Sequence, residues 1–352
     1  MRVLVRTPNW LGDIVMALPV LVAMRAHFSG DILAAGVPGA FAPLLAAVPA
    51  VDEVVPLRRD GRRGWRALDA EAVTMRRGRF DVAVLLPNSF GAAWAARRAG
   101  IRERWGFATQ GRRPLLTRAV SRPRRRTPPL HQVAYYQQLM RGLDIEPVAP
   151  APRLVAPLDM VAGARSLLVL AGGDRIRPMV GIVPGAAYGH AKRWFADRYA
   201  RVADRLVQEL GASVVLLGSA HDRDAGYAIE SSLAAADGTG PGPGVVNLIG
   251  RTDLSQLIGT LACCCAVVSG DSGSMHLAAA LGVPVTAIFG PTDDRVTAPV
   301  GSHEVLTHPV WCRPCFLRDC PIDHRCMTGI TEDRAFRAVA GQVVGFRPRG
   351  DS

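Results

Sequence analysis

The stretch that decides the fold is SGDSGSMHLAAALGVPVTAIFGP, residues 269–291. An apolar run at 266–269 leads into Gly270-Asp271-Ser272-Gly273-Ser274, and a helical pattern follows at once over 274–281. A second apolar run, 285–289, comes after that helix. Strand, short polar loop, helix and strand make the crossover unit of a parallel sheet. The small loop residues let backbone approach a ligand closely, and the helix N-terminus turns unpaired N–H groups towards an anion. Asp271 can accept hydrogen bonds from sugar hydroxyls, and His276 in the first turn can donate to a phosphate. The same residues also suit a plain strand–turn–helix, with Ser272 or Ser274 as N-cap.

Outward from this unit the pattern repeats. In the same half, strands are predicted at 180–183, 214–217 and 245–249, with helices over 197–210, 222–235 and 255–261. In the first half strands are predicted at 3–6, 32–35, 53–57 and 81–86, with helices over 14–27 and 132–143. The proline-rich stretch EPVAPAPRLVAP, residues 146–157, interrupts the alternation and reads as a linker. The fold class expected is therefore α/β: an N-terminal domain over 1–157 and a C-terminal domain over 158–352, each a doubly wound parallel sheet. Ligands would bind at the carboxyl ends of the strands, in a cleft that the two domains face. The final helix, predicted over 332–344, could pack back on the N-terminal domain, and GTGPGPG at 238–244 is a surface loop. Neither half carries the GxGxxG of a dinucleotide site.

The chain has 352 residues, enough for two domains, and a net charge of +12 that is unevenly placed. Residues 1–165 hold 25 basic against 12 acidic groups, while residues 166–352 hold 17 against 18. The excess is densest at 58–66 and 112–126. A segregated basic surface attracts nucleic acid, anionic lipid head groups or a phosphorylated acceptor, although any single arginine is more simply a solvated surface charge. Among the 42 basic residues Lys192 is the single lysine. A compact ammonium reaches a phosphate oxygen where a planar guanidinium does not fit, which makes Lys192 a site candidate. No apolar run approaches the length of a membrane span, and the N-terminus lacks a signal-peptide pattern. The expected location is cytoplasmic, with membrane contact only peripheral.

Two more loops follow strands and precede helices. Pro184-Gly185-Ala186-Ala187 is followed by Lys192-Arg193-Trp194, which would bring a cation to a diphosphate; Arg193 reads as a surface charge and Trp194 as packing. Asn9-Trp10-Leu11-Gly12-Asp13 ends the first loop of the basic half. Asp13 suits a helix N-cap, and equally a general base for an acceptor hydroxyl.

Taken together, RTPNWLGDIVMALPVL, LLPNSFGAAWAARRAGI, PGAAYGHAKRW, LLGSAHD and SGDSGSMHLAAALGVPVTAIFGPTD resemble the lipopolysaccharide heptosyltransferases of glycosyltransferase family 9. The matching blocks run from Arg6 to Met327, and NWLGD, LLPNSF and WCRPCFLRDCP are most similar to the heptosyltransferase II type. The resemblance implies a GT-B fold of two Rossmann-like domains and an inverting transfer that needs neither metal nor cofactor. It implies ADP-heptose as donor and the inner-core heptose of Kdo–lipid A as acceptor. Asp13 would deprotonate the acceptor hydroxyl, and Lys192 would neutralise the departing ADP. Gly185, Ala186, Asp222, Asp271, Ser272, Gly273, Ser274, Met275 and His276 would hold the donor. Asn9, Trp10, Gly12, Arg112, Arg113, Arg122 and Arg124 would meet the acceptor, whose phosphates give the basic half a purpose. One departure is Asp294, where the family usually has proline.

Cys263, Cys264 and Cys265 sit in an apolar stretch and read as packing. The other four form C-x2-C-x4-C-x5-C at Cys312, Cys315, Cys320 and Cys326. In a cytosolic chain such spacing suggests metal before disulfide, yet it matches no usual paired zinc knuckle, even with His324 as a substitute ligand. A folded loop of reduced thiols is expected, with a structural metal as the alternative. Two other functions remain open: a different GT-B enzyme on a nucleotide sugar, such as an epimerase, and a nucleic-acid-binding protein. For the latter no reading motif is present. The partners expected are an ADP-sugar, a phosphorylated core acceptor and the inner-membrane surface, not nucleic acid.

Overall fold

The computed structural model describes residues 1–57, 64–123, 129–173, 177–186, 189–237 and 244–344. Part of the 58–66 basic cluster, Arg124, Ala187 and residues 238–243 thus lie outside the described residues. The chain divides into two compact units, Met1–Val155 and Ala156–Ser352. Among the described residues no helix is long and apolar enough to cross a membrane.

The first unit holds β1 (Arg2–Arg6), β2 (Ile32–Pro38), β3 (Glu53–Leu57), β4 (Val82–Leu85), β5 (Glu103–Phe107) and β6 (Arg118–Val120). They form one parallel sheet in the order β3-β2-β1-β4-β5-β6. The second unit holds β7 (Met179–Val183), β8 (Ser213–Leu216), β9 (Val245–Asn247), β10 (Ala266–Gly270), β11 (Val285–Phe289) and β12 (His303–Thr307). Its parallel sheet runs β12-β11-β10-β7-β8-β9, the same order. Both units are therefore doubly wound α/β folds with the Rossmann strand order, as the alternating pattern predicts. The central strands are buried on both faces, and so read as continuous apolar runs: VAVL in β4, SVVL in β8 and VTAIF in β11 have no exposed position.

Three strands escape the sequence reading. β5 (ERWGF), β6 (RAV) and β12 (HEVLT) carry charged residues, and β6 and β12 are edge strands with partly exposed positions. An edge strand needs less apolar surface, and charge there is protective. The helix predicted over 14–27 is two helices, Leu11–Met16 and Leu18–His27, because Pro19 has no N–H to continue the ladder. Helix Glu332–Val344 packs on helix Ala196–Leu210 and on β10 and β11, and places Phe336, Val339 and Val343 in the second unit's core.

In each sheet the chain reverses its direction of winding between two central strands, β1 and β4 in one, β7 and β10 in the other. Register aligns their ends: Arg6 opposes Leu85, and Ser269 opposes Val183. The loops leaving these strand ends therefore lie side by side, where open α/β sheets bind ligands.

Candidate functional site

At the second unit's switch point the two loops are joined by charge. Lys192 ends the short turn His190–Lys192 after β7, and Asp271 follows β10. Lys192 Nζ donates to Asp271 Oδ2 at 2.5 Å, and Thr292 Oγ1 donates to the same oxygen at 2.7 Å. The two charged side chains are 14% and 9% exposed. Among the described residues nothing donates to Asp271 Oδ1, which leaves it able to accept from a ligand hydroxyl. Thr292 was not singled out in the sequence; its signal was its place in GPT, directly after β11.

Helix Gly273–Ala280 starts beside this pair. Ser272 is its N-cap, accepting from the Met275 N–H at 3.3 Å, and Ser269 Oγ lies 3.0 Å from Ser272 Oγ. Ser272 thus has the capping role weighed for it. Met275 and His276 are buried at 0% and 5% exposure. Neither side chain is presented to solvent; what this turn offers an anion is backbone N–H at Gly273 and Ser274.

Gly185 and Ala186 follow β7, and Gly185 has a steric reason to be glycine. A Cβ there would lie 2.3 Å from Asp222 Cγ. Asp222, expected at the donor, is 9% exposed, and its carboxylate is engaged within the protein. Oδ2 accepts from Ser219 N–H at 3.0 Å and from Ser219 Oγ at 2.7 Å, a capping box on the turn Ala220–Asp222. Oδ1 lies 3.7 Å from Arg193, so Arg193 is more than a surface charge. Trp194 is the packing residue expected, stacked edge-on against Tyr199 with its Nε1 donating to the Ile330 carbonyl.

The cysteine segment buttresses the loops after β7 and β11. The Ala191 N–H donates to the Arg318 carbonyl at 2.8 Å, and a Cβ on Gly189 would meet that oxygen at 2.5 Å. On the other side Phe316 N–H donates to Pro291 O, and Arg313 Nε to Gly290 O, both at 2.9 Å. Arg313 also pairs with Asp294 at 2.5 Å. The departure at Asp294 is thus where this segment attaches. All seven cysteines are unpaired. Among the described residues no three His, Cys, Asp or Glu side chains gather as a metal requires. Burial, then the nearby Cys312, Cys315 and Cys320, push the Cys326 thiol up. Cys264 and Cys265 are buried, the latter pushed up to about 11 by burial.

At the first unit's switch point Asp13 is half-buried in helix Leu11–Met16, one residue after Gly12. It lies near Tyr136, whose pKa is raised first by burial and then by the Asp13 charge. Asn9 and Trp10 are exposed, Trp10 to 64%. On the β4 side, Ser89 caps helix Phe90–Arg98 and Asn88 donates to the Tyr135 hydroxyl at 2.8 Å. Arg113 and Arg122 are exposed, with the Arg122 guanidinium 5.7 Å from the Tyr135 ring centre.

Arg112 requires a correction: expected at the acceptor, it is fully buried. Its guanidinium donates to the carbonyls of Phe107 (2.8 Å) and Pro87, at the ends of β5 and β4. Burial lowers its pKa to about 10. It holds loops together and presents no charge to a ligand.

Known proteins are similar to this chain in sequence and in fold. Residues 71–325 match the family described as Glycosyltransferase family 9 (heptosyltransferase). The chain is 34% identical over 315 residues to lipopolysaccharide heptosyltransferase 2 of Escherichia coli, covering 86% of each chain. The solved structure of E. coli ADP-heptose LPS heptosyltransferase II is similar with a TM-score of 0.80 and 30% identity, over 98% of this chain and 99% of that one. A family 9 glycosyltransferase from Veillonella parvula shares the fold, with a TM-score of 0.84 at 19% identity over 98% of each chain.

Proposed function

The chain belongs to glycosyltransferase family 9, and on that premise we propose that it is a heptosyltransferase of lipopolysaccharide core assembly. The donor in this reading is ADP-heptose, and the acceptor is the inner-core heptose of Kdo–lipid A. The observation that carries it is the cluster of Lys192, Asp271 and Thr292 at the β7/β10 switch point, beside the N-terminus of a helix.

In this reading the second unit holds the donor. Asp271 Oδ1 accepts from the donor, the amides of Gly273 and Ser274 face its diphosphate, and Lys192 supplies the cation. The Asp13 carboxylate takes the proton of the acceptor hydroxyl as that oxygen attacks the anomeric carbon. The bond from that carbon to the ADP oxygen breaks, ADP departs with the electron pair, and the configuration inverts. Negative charge grows on the leaving diphosphate, where a fixed cation and oriented amides stabilise it most. No metal is needed in this scheme, and unchanged turnover after chelator treatment tests that point. Arg113 and Arg122 serve the acceptor's phosphates, and peripheral contact with the cytoplasmic face of the inner membrane follows from a lipid-linked acceptor.

The experiment is product analysis with ADP-heptose and a truncated core acceptor. The expected product is the acceptor plus one heptose of inverted anomeric configuration. If ADP-heptose is neither bound nor consumed, the donor assignment is wrong.

A further inference from the structure

We infer that Arg6 and Glu71 are positioning residues for the loop that carries Asp13, an inference that rests on the proposed acceptor role of that loop. Arg6 closes β1 with 2% exposure, and Glu71, on helix Gly64–Arg77, has 1%. Arg6 Nε donates to Glu71 Oε1 at 2.8 Å. The other two nitrogens turn to the loop: Nη1 donates to the Thr7 carbonyl, and Nη2 to Asn9 Oδ1 at 2.8 Å. Thr7 is itself tied to β2, its N–H and its hydroxyl both donating to the Gly36 carbonyl. One planar fork thus fixes a helix, a strand end and a loop at once, which a lysine could not do.

Stability alone is a poor explanation for this pair. Two charges taken out of water cost solvation that their attraction need not recover, and apolar residues of similar volume often fill such a site as well. What the pair supplies is direction. Helix Leu11–Met16 begins at Trp10 with no side-chain cap, so the usual restraint on a helix start is missing here. Asn9 and Trp10 are exposed, and the hydrogen bond from Arg6 to Asn9 restrains the segment from beneath. Asp13 lies four residues beyond Asn9. The brace sets where that carboxylate stands, without touching the substrate.

The decisive variant replaces both charges, Arg6→Met with Glu71→Leu, in the full-length protein. The double variant should melt cooperatively at a modestly lower temperature, since the Thr7 carbonyl loses its donor, and ADP affinity should stay near wild type. The kcat should fall about tenfold or more, because a small misplacement of a base is costly. Hydrogen exchange at amides 9–13 should quicken. Arg6→Lys, which keeps a charge opposite Glu71 but loses the fork, should give the same kinetic defect. Asn9→Ala, at an exposed residue, should reproduce part of it and add nothing to Arg6→Lys. Wild-type kinetics and unchanged exchange at 9–13 in the double variant would overturn the inference. Should the double variant not fold, Arg6→Lys and Asn9→Ala decide it: non-additive losses support the brace, while additive or absent losses overturn it. Faster exchange in a protein whose Asp13→Asn variant still turns over would leave the brace standing and remove Asp13 as base.

Discussion

At the β7/β10 switch point the opposite charges meet at the mouth of the loops, Lys192 against Asp271, and the support comes from outside, through Arg313, Phe316 and Arg318 of the cysteine segment. At the β1/β4 switch point the acid, Asp13, stands in the first turn of helix Leu11–Met16, and the support comes from beneath. Arg6 and Arg112, the two largest fully buried side chains among the described residues, bind loop carbonyls from inside the first unit. The same strand order has thus been fitted out in two ways. In the proposed reading the β7/β10 site takes a nucleotide diphosphate, which needs small residues and backbone at its surface, so its bulk would stand behind the loops. A site that offers a carboxylate to a hydroxyl can keep its bulk below.

The sharpest way to break this contrast is to remove one charge from each site. Asp13→Asn should lower kcat by about 10²–10⁴, the usual worth of a general base, with ADP affinity intact. Lys192→Met should lower kcat by about 10²–10³ and weaken ADP as well, since its charge acts on the leaving group. Isothermal titration with ADP separates the two. If both variants lose ADP binding equally, the division of labour is wrong. Lys192→Arg refines the point: near-normal rates there would make the lone lysine an accident of composition.

How much of this was legible depends on what a residue's neighbours must be. β4, β7, β8, β10 and β11 could be read because strands buried on both faces carry no charged residue and are mostly apolar. β5, β6 and β12 could not, since their sequences satisfy a sheet and a charged loop equally. Lys192 stood out by composition, and Asp271 and Asp13 by their places at strand ends. Thr292 shares such a place, directly after β11, but a threonine there suits any loop. Arg6 and Arg112 carried no mark: nothing in a sequence separates a buried arginine from a solvated one when its partners are backbone carbonyls or a carboxylate 65 residues away. Arg112 was therefore assigned to the acceptor with its exposed neighbour Arg113.

Glycine at 185 tests the second site's close packing. In Gly185→Ala the new methyl would meet the Asp222 carboxylate at 2.3 Å, and either the 184–186 loop or the capping box must move. Overpacking of this kind costs about 1–3 kcal/mol. The expected result is weaker ADP binding and a lower melting temperature, with the acceptor KM unchanged. Unaltered ADP affinity would mean that this loop does not line the donor site. Arg112→Met makes the matching test below the first site. It leaves the Phe107 and Pro87 carbonyls without their donor, at about 1–3 kcal/mol for buried groups. Thermal melting should record that loss, and ADP affinity should not change.

The smallest effect concerns the outer support. Cys312, Cys315 and Cys320 are half-buried, whereas burial raises the thiol pKa at Cys263, Cys264, Cys265 and Cys326. A raised pKa keeps these groups protonated to higher pH than an ordinary thiol, and Cys265, at about 11, is only about one part in a thousand thiolate at pH 8. Titration with a thiol reagent at pH 8 should therefore show three fast thiols and four slow ones. Once the fast three have reacted, the segment that holds the Lys192 turn and the Gly290–Pro291 carbonyls is crowded, and ADP affinity should drop severalfold. Among the described residues the first site has no such external support, so acceptor KM should be indifferent to the modification. A protein that binds ADP normally with all three thiols blocked would show that the loops hold their own shape, and the contrast between outer and inner support would fail on the donor side.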